Sequence, residues 1–401
     1  MDTANDVVQG VKFLKRLQPL LARLQADSCE RDRAGNRQLY FNQVCSLILL
    51  TFFNPSLKSL RDLSRASRLA GVRRKLGCRE ASLGSLSESL RVFDPERMVE
   101  IIQDLLGQIP DSPMVDSRLK SLAHVPTAVD GTLLLQLPQI TQACFATRAD
   151  RGWKLHTHFE VLRRVPTFAQ VTNASGQGSA NEKAVLRQSL EADRCYLTDR
   201  GYEEFSLFNA IVAAGSSYVC RVRNDHHFEV ERVQDLTPES QSAGILEEAF
   251  GHMGSPKSKR IEHPQHLQRR IVVRLVAHPK RGGHRRNSGT QDLVLVTNLL
   301  DVPAEVIVLL YRFRWLIELF FRWLKCVLSC RHLVSQSENG IQIQMYCALI
   351  ACLLIQLAAG RDVRPNQWTY KLLCLYAQGL ASEEEVLQHL RERAAALKSE
   401  N

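Results

Sequence analysis

The feature of this sequence that most restricts its fold is the apolar segment at residues 311–325, which carries one narrow stripe of polar side chains. The segment reads YRFRWLIELFFRWLK, and its polar positions lie at offsets 0, 3, 7 and 14: Tyr311, Arg314, Glu318 and Lys325. At about 100° per residue these offsets occupy a sector of roughly 60° on one helix, with Arg322 close beside it. Because the remaining positions are apolar, the pattern predicts a continuous helix from about 303 to 328 that is buried on nearly every side.

A charged stripe on a buried helix has two explanations. Buried charges cost several kcal/mol of folding free energy unless they are paired or bind something. Arg314 and Glu318 are four residues apart and could form an internal salt bridge, with Lys325 at the surface. Alternatively, the stripe belongs to a site that binds a charged ligand. The helix by itself leaves both interpretations open.

Two aspartates lie at or near the ends of predicted strands, each close to a glycine. Asp130 follows the apolar pair AV and precedes Gly131, and Asp199 follows the predicted strand CYLT and precedes Arg200-Gly201. Taken singly, each is best explained as a turn former or a helix cap. Carboxylates from separate segments are also the hard oxygen ligands that Mg²⁺ and Mn²⁺ prefer. The aspartates therefore become informative only together with Glu318.

These motifs resemble those of the DDE transposases of insertion sequences. DGT at 130–132 and TDRGY at 198–202 look like the first two motifs of that family, and the KLH segment at 154–156 resembles a strand between them. The polar stripe matches at every position the Tyr-x2-Arg-x3-Glu-x6-Lys signature of the insertion-sequence-four subgroup. The resemblance covers roughly residues 120 to 360.

The resemblance implies an α/β fold with a ribonuclease-H-like core, which has a β-rich insertion before its last catalytic helix and an N-terminal helical domain. Strands followed by alternating helix and strand between 122 and 215 independently indicate an α/β layer. The acidic residues are separated by 69 and then 119 residues, and the long second gap is similar to that of members with an insertion. The expected ranges are an N-terminal helical domain at 1–115, the first part of the core at 120–215, the insertion at 216–300, the glutamate helix with the rest of the core at 301–360, and C-terminal helices at 361–401.

The resemblance also implies roles for individual residues. Asp130, Asp199 and Glu318 would be catalytic and would together hold two Mg²⁺ or Mn²⁺ ions, a pair that can activate an attacking water or 3′-hydroxyl and stabilise the leaving oxygen. The implied activity is cleavage at the ends of a mobile element and strand transfer into target DNA, by a homodimer that bridges two ends. The residues expected to contact DNA are Tyr311, Arg314 and Lys325, together with Arg322 and Arg200.

A basic segment favours a polyanionic partner independently of the resemblance. The formal net charge is +10, and residues 257–286 hold ten Lys or Arg against one acid, Glu262. Such a patch provides salt-sensitive affinity for the DNA backbone without sequence preference. A solvated loop is the alternative explanation. The residues of this segment predicted to contact DNA flank two glycines: Lys280, Arg281, Arg285 and Arg286.

Cysteine usage and apolar runs indicate a cytoplasmic protein, and the resemblance implies a bacterial one that is associated with the nucleoid while it acts. The eleven cysteines are odd in number and form no C-x-x-C pair, so reduced thiols are expected. The N-terminus shows no apolar region of signal-peptide type. The most apolar stretch, 345–359, falls short of the ~20 residues of a membrane span, so it is predicted to be a buried core helix, with no membrane as partner.

Three alternatives remain for the function. The first is a ribonuclease-H-like nuclease that cuts without joining, and the second is a catalytically silent DNA-binding protein descended from a transposase. The third is a basic helical protein without enzymatic activity. The N-terminal helices likewise allow two interpretations, a DNA-binding module or a helical lobe packed on the rest of the chain, because no helix-turn-helix signature is recognisable.

Overall fold

The computed structural model of this chain describes residues 19–25, 39–54, 57–109, 117–120, 122–135, 152–254, 263–275, 291–326, 333–359, 367–377 and 380–399. Within these residues nine strands form one mixed sheet, and helices cover both of its faces. The strands, numbered along the chain, are β1 Val125–Leu135, β2 Gly152–Glu160, β3 Val165–Asn173, β4 Arg194–Thr198, β5 Ser217–Val222, β6 Phe228–Val233, β7 Ile245–Met253, β8 Gln268–Leu275 and β9 Gln291–Thr297. Their order across the sheet is β3-β2-β1-β4-β5-β9-β8-β7-β6.

The helices of the described residues lie before, between and after these strands. Those before β1 are α1 at residues 19–25, α2 Phe41–Phe53, α3 Leu60–Ala66, α4 Ala70–Leu76, α5 Leu83–Val92, α6 Val99–Gly107 and α7 Ser117–Lys120. Those between strands are α8 Glu182–Gln188, α9 Phe205–Ala213 and α10 Pro238–Ser242. Those after β9 are α11 Ala304–Phe313, α12 Trp315–Cys326, α13 Glu338–Ala359, α14 Gln367–Ala377 and α15 Glu383–Ser399. The mixed α/β class predicted from the sequence is confirmed.

The register between β1 and β4 sets the position of the two predicted aspartates. These strands run parallel, and Ala128 lies opposite Leu197. β4 ends at Thr198, whereas β1 continues beside antiparallel β2. Asp130 follows Ala128 by two residues, and Asp199 follows Leu197 by two residues. The two aspartates therefore lie beside each other at the carboxyl end of β4. In sheets with parallel strands, ligand sites form at the carboxyl ends of those strands.

The sheet runs without interruption past residue 216, where the sequence predicts the start of a β-rich insertion. β5 is parallel to β4 on one side and antiparallel to β9 on the other. From β9 the sheet continues through antiparallel β8 and β7 to β6 at its edge. The range 216–300 therefore contributes strands to the same sheet as β1 and β4, and the division into domains at 216 stays a prediction.

Two hydrophobic clusters hold the helices against the two faces of the sheet. The smaller cluster lies beneath α8 and α9 and contains the buried residues Tyr196, Tyr202, Leu207, Phe208 and Tyr218. In the larger cluster, Phe320 of α12 packs on Phe159 of β2, with ring centroids 5.4 Å apart. Phe159 pairs with Ala128, two residues before Asp130. Because side chains two apart on a strand share a face, Asp130 points towards the face that carries α12.

Helix α13 lies at the centre of the larger cluster. Its segment Glu338–Leu357 is long and apolar enough to cross a membrane, but 83% of the apolar window is buried inside the protein. The core helix predicted for this region is therefore present. Its Gln342 accepts a hydrogen bond from Val171 N (2.6 Å) and donates one to Ala169 O (3.1 Å). The side-chain amide thus satisfies backbone groups of β3, the edge strand on this side, and covers that edge.

The N-terminal helices pack on α13 and belong to the same hydrophobic cluster. Asn339 Nδ2 donates to the backbone oxygens of Leu90 (3.0 Å) and Phe93 (2.7 Å), which end α5 and begin the following turn. The hydroxyl of Tyr346 donates to Glu96 at 3.2 Å. These contacts describe a helical lobe docked on the rest of the chain, and sequence-specific DNA recognition by these helices stays a hypothesis.

The long helical stretch predicted from 303 to 328 is present over 304–326, the part that the structure describes, and a one-residue turn at Arg314 divides it into α11 and α12. Arg314 keeps right-handed helical backbone angles. Its N bonds to the oxygen of Tyr311 (3.1 Å), and Ile317 N bonds to the oxygen of Arg314 (3.2 Å), so the backbone tightens into a 3₁₀-type turn. The predicted burial on nearly every side is wrong, since Trp315 is 50% and Leu319 41% exposed.

Candidate functional site

The candidate site lies where the carboxyl end of β4 meets β1 and the two helices α11 and α12. Asp130 Oδ1 accepts a hydrogen bond from Gly131 N at 2.7 Å. Asp199 begins a short 3₁₀ turn, and its Oδ1 accepts from Gly201 N at 2.8 Å. Each aspartate thus bonds to a nearby backbone amide, as the turn-former and cap interpretation expects. The register of β1 with β4 sets the two residues level with each other.

The guanidinium of Arg314 lies between Glu318 and Asp130. Its Nη2 donates to Glu318 Oε1 at 2.7 Å, and its Nη1 is 3.7 Å from Asp130 Oδ2. The salt bridge predicted between Arg314 and Glu318 is therefore present. The contact with Asp130 adds a residue from β1, so the charged groups of the helix face the strand that carries the first aspartate. All three side chains are at most one-third exposed.

The other members of the polar stripe also face β1 and its neighbours. The ring of Tyr311 is 5.9 Å from the Arg314 guanidinium carbon, and burial raises the pKa of its hydroxyl. Lys325 Nζ donates to Thr132 Oγ1 at 2.6 Å, two residues beyond Asp130. Two further predicted DNA contacts, Arg322 on α12 and Arg200 after Asp199, are exposed.

The charges of neighbouring side chains act on the carboxyl group of Asp130. Burial raises the pKa of Asp130 to about 6, opposed by the Gly131 amide and Arg314 and reinforced by the negative charges of Asp199 and Glu182. Tyr202 is 1% exposed, and its pKa is raised by burial and by Glu182, Asp130 and Asp199. The charges of Asp199 and Glu182 therefore act on Asp130, and Glu318 is linked to Asp130 through Arg314.

The chemistry of these side chains suits a hard divalent cation. The predicted ligands Asp130, Asp199 and Glu318 offer only carboxylate oxygens, which Mg²⁺ and Mn²⁺ prefer over the nitrogen and sulfur ligands typical of zinc. As the side chains stand, no three Asp, Glu, His or Cys residues of the described ranges are close enough together to hold a metal ion. Joint coordination would require Arg314 to leave its position between Asp130 and Glu318.

The structure describes only part of the basic segment at 257–286. Four of its predicted DNA contacts lie outside the described residues: Lys280, Arg281, Arg285 and Arg286. Three other arginines of the run form ion pairs with acids of neighbouring strands: Arg269 with Glu248, Arg270 with Glu247 and Arg274 with Asp292. These three do not form an unpaired patch, because the strand register sets Asp292 opposite Arg274 and places the other two acids diagonally across from their arginines.

The sequence did not single out Glu182 for this site. It begins helix α8, and its Oε1 lies 2.5 Å from Lys154 Nζ, in the KLH segment on β2. An acid in the first turn of a helix is expected for helix stability alone. The only available signal was Gly131, since a glycine within a strand marks a close approach of another group.

Comparison with known proteins assigns the chain to a family. Residues 123–354 match the model of the transposase DDE domain, a range that includes all three predicted acidic residues. The chain belongs to the DDE transposases. Its assignment to an insertion-sequence transposase, as the sequence motifs indicate, is confirmed by the names of its relatives.

Two curated relatives of this DDE transposase match about half of the chain. "Putative transposase y4zB" of Sinorhizobium fredii is 26% identical over 225 residues, 56% of this chain and 57% of that protein. "Probable transposase for insertion sequence element IS5377" of Geobacillus stearothermophilus is 25% identical over 206 residues, 51% of this chain and 49% of that protein. The chain thus spans about half the length of these relatives.

A third relative and one solved structure extend the comparison. "Putative transposase for insertion sequence element IS4SA" of Synechocystis sp. is 40% identical over 70 residues, 16% of this DDE transposase and 21% of that protein. The solved piggyBac transposase synaptic complex with hairpin DNA is 11% identical with a TM-score of 0.39, covering 99% of this chain and 87% of that chain. A TM-score this low does not establish a shared fold.

Proposed function

We propose that this protein cuts DNA at the ends of its own mobile element and joins the freed 3′ ends to target DNA, in a reaction that depends on divalent metal ions. The observation that carries the proposal is that Arg314 contacts both Asp130 and Glu318, while the register of β1 with β4 sets Asp199 level with Asp130 at the carboxyl end of β4. The three acids come from distant parts of the chain, as a site built from separate segments requires. Membership of the DDE family supports the same activity.

The proposed core is ribonuclease-H-like, with β6 to β8 as its insertion. The first acid lies on β1, the second directly after β4, and the third on a helix that follows the remaining strands. This is the succession expected from the family resemblance. The pairing of β5 with β4 supports extending the core to β5, so that the inserted strands would begin after Val222.

In the proposed mechanism Asp130, Asp199 and Glu318 hold two Mg²⁺ or Mn²⁺ ions through their carboxylate oxygens. When bound, such ions supply the charge that favours attack on the scissile phosphate and departure of the leaving oxygen. Asp130 is largely buried, and its raised pKa shows that its negative charge is poorly compensated in the protein alone. A nearby cation would stabilise the ionised form of this side chain.

Arg314, Tyr311 and Lys325 are proposed to hold the DNA strand beside the acids. Arg314 presents a planar fork of donors that fits a phosphate, and Lys325 is a compact positive charge on the same side. Tyr311 offers a hydroxyl next to Arg314. Once a phosphate and cations occupy the site, Arg314 would exchange its contact with Glu318 for one with the phosphate, because both partners are oxyanions.

The proposed partners are the two ends of the element and target DNA, bound by a homodimer. Exposed Arg322 and Arg200 flank the acids and would contact the backbone. The four predicted basic residues at 280–286 would add salt-sensitive affinity. Action on DNA in a bacterial cytoplasm, with no membrane partner, follows from the same proposal.

The deciding experiment incubates the purified protein with Mg²⁺ and DNA that carries the ends of the element. Asp199→Ala and Glu318→Gln are compared with Asp292→Asn, which alters an exposed acid on β9. We expect nicking and joining by the parent and by Asp292→Asn, and neither reaction by the two site variants. Equal activity of Asp199→Ala and the parent would remove Asp199 from the site.

The same assay separates the proposal from its alternatives. A nuclease without strand transfer would nick end DNA and give no joined product. A catalytically silent DNA-binding protein would retard the DNA in a gel and give neither product with Mg²⁺ or Mn²⁺. Joined products that require the intact acids are expected only from the proposed transposase.

A further inference from the structure

Glu182 lies between the two glycines that follow the predicted catalytic aspartates. A Cβ added to Gly131 would lie 2.7 Å from Glu182 Oε1, closer than real Cβ atoms come to other atoms. A Cβ added to Gly201 would lie 3.8 Å from Glu182 Oε2. The carboxylate therefore reaches from the backbone next to Asp130 towards the backbone next to Asp199, and the missing side chain of Gly131 provides its space.

Lys154 holds this carboxylate in place. Its Nζ is 2.5 Å from Glu182 Oε1, and its Cε would lie 2.8 Å from a Cβ at Gly131. Lys154 is 19% exposed and Glu182 is 25% exposed, so the pair is mostly shielded from solvent. A mostly buried lysine with one carboxylate partner holds that partner in a defined position more firmly than an exposed ion pair would.

Acidic side chains outnumber the cationic ones around these glycines. A Cβ added to Gly201 would lie 3.0 Å from Asp199 Oδ1 as well as 3.8 Å from Glu182 Oε2, so the two carboxylates approach the same point. The nearby positive groups are Arg314, which also contacts Glu318, and Lys154. A protein interior keeps like charges this close only where a counter-charge compensates them.

We propose that Glu182 is a fourth acidic residue of the metal site, and that Lys154 is its counter-charge while no metal ion is bound. The inference rests on the proposed function, because it assumes that Asp130 and Asp199 bind divalent cations. Glu182 supplies further carboxylate oxygens from the α8 side of β1, opposite the side from which Glu318 approaches. The DGT motif has glycine at its second position because any side chain there would push this carboxylate away.

The test measures Mn²⁺ binding by the full-length protein without DNA, with free Mn²⁺ followed by electron paramagnetic resonance. Glu182→Gln keeps the shape of the side chain and removes its charge, and Lys154→Gln breaks the same ion pair from the other side. Both variants lose the salt bridge, and melting temperatures check that each remains folded under the conditions of the titration. Asp130→Asn and Asp199→Asn report on the proposed site itself.

We expect Glu182→Gln to weaken Mn²⁺ binding by roughly tenfold to a hundredfold, and Lys154→Gln to leave it unchanged or make it tighter. Equal weakening in both variants would mean that the ion pair serves only to shape the site, which overturns the inference. Unchanged binding in Glu182→Gln, with weaker binding in Asp130→Asn and Asp199→Asn, overturns the inference and leaves the proposed function intact. Unchanged binding in all three acid variants overturns both.

Discussion

Lys325 and Thr132 are joined by a 2.6 Å hydrogen bond from the lysine ammonium to the threonine hydroxyl. The bond links the last turn of α12 to β1, and Thr132 is two residues beyond Asp130. Glu318 lies in the first turn of the same helix. Packing of Phe320 on Phe159 provides a second point of attachment. Together these contacts define how the helix that carries Glu318 lies against the strand that carries Asp130.

Replacing Thr132 with valine tests the contribution of that bond. The valine keeps the branched shape on the strand and removes the acceptor, so Lys325 loses this hydrogen-bond partner. We expect a loss of about 1.5 kcal/mol in the free energy of unfolding, the lower end of the usual range for a bond to a charged group. Urea denaturation measures this change, and Thr132→Ser should retain most of the stability. No loss in Thr132→Val would show that the hydroxyl does not contribute, and equal losses in both variants would show that the methyl group contributes as much as the hydroxyl.

The raised pKa of Asp130 predicts how stability depends on pH. The pKa is about 6 in the folded protein against an ordinary value of 3.8, and burial is the main cause. The folded protein therefore binds this proton more tightly than the unfolded chain. The resulting stabilisation is full below about pH 4 and is lost as the pH rises through 6, and it amounts to at most about 3 kcal/mol.

Asp130→Asn should consequently raise the melting temperature in metal-free buffer at pH 7.5. The gain should shrink towards pH 4, where the parent side chain is protonated in both states. Asp292→Asn serves as the control, because the hydrogen bond from Arg274 lowers the pKa of Asp292, so its neutralisation should bring no gain at pH 7.5. A melting temperature of Asp130→Asn below that of the parent at pH 7.5 would contradict the predicted sign.

The sequence indicated that Arg314 could pair with Glu318, but not that Arg314 also approaches Asp130. The spacing of Tyr311, Arg314, Glu318 and Lys325 correctly indicated side chains that face the same structure. It could not indicate the turn at Arg314, because neither proline nor glycine marks it, and the turn depends on how α11 and α12 pack on separate parts of the sheet. Local periodicity assumes a regular helix, and tertiary packing decides where the helix bends.

Contacts between distant segments were the other part that the sequence could not supply. Glu182 reads as an ordinary acid at the start of a helix, and only the pairing of β1 with β2 and β4 brings it beside Gly131. The arginines of β8 read as part of a basic run, yet strand register sets Arg274 beside Asp292. The number of basic residues in this run therefore overestimates the positive charge that is available to bind DNA.

Exposed Arg322 should contribute to DNA affinity without contributing to sequence preference. It lies on α12 with Trp315 and Leu319, on the side of the helix that faces solvent. We expect Arg322→Ala to weaken binding equally to element-end DNA and to unrelated DNA, and to reduce the slope of log K against log salt by about 1. Fluorescence anisotropy titrations at several salt concentrations measure both quantities. Arg274→Ala, which removes an arginine paired with Asp292, should leave the slope unchanged.

The ion pair between Arg269 and Glu248 should dominate the stability of the outer half of the sheet. Both side chains are about 5% exposed, and the shortest contact between them is 2.6 Å. The Arg269 guanidinium also donates to the backbone oxygens of Leu299 and Leu300, at 3.5 and 3.4 Å, and to that of Val302. It thereby fixes the connection from β9 to α11, the helix that carries Tyr311.

Arg269→Met should therefore cost about 3 to 5 kcal/mol in the free energy of unfolding, since it leaves Glu248 as a buried charge without its partner. Replacing both residues with apolar side chains should cost less than the sum of the two single changes, because neither charge is then stranded. Arg274→Met, which breaks the exposed pair on the same strand, should change stability little. Equal stability of Arg269→Met and Arg274→Met in urea would show that the buried pair with Glu248 contributes no more than the exposed pair with Asp292. A loss in Arg269→Met that the double variant does not relieve would instead assign the stability to the backbone bonds at 299–302.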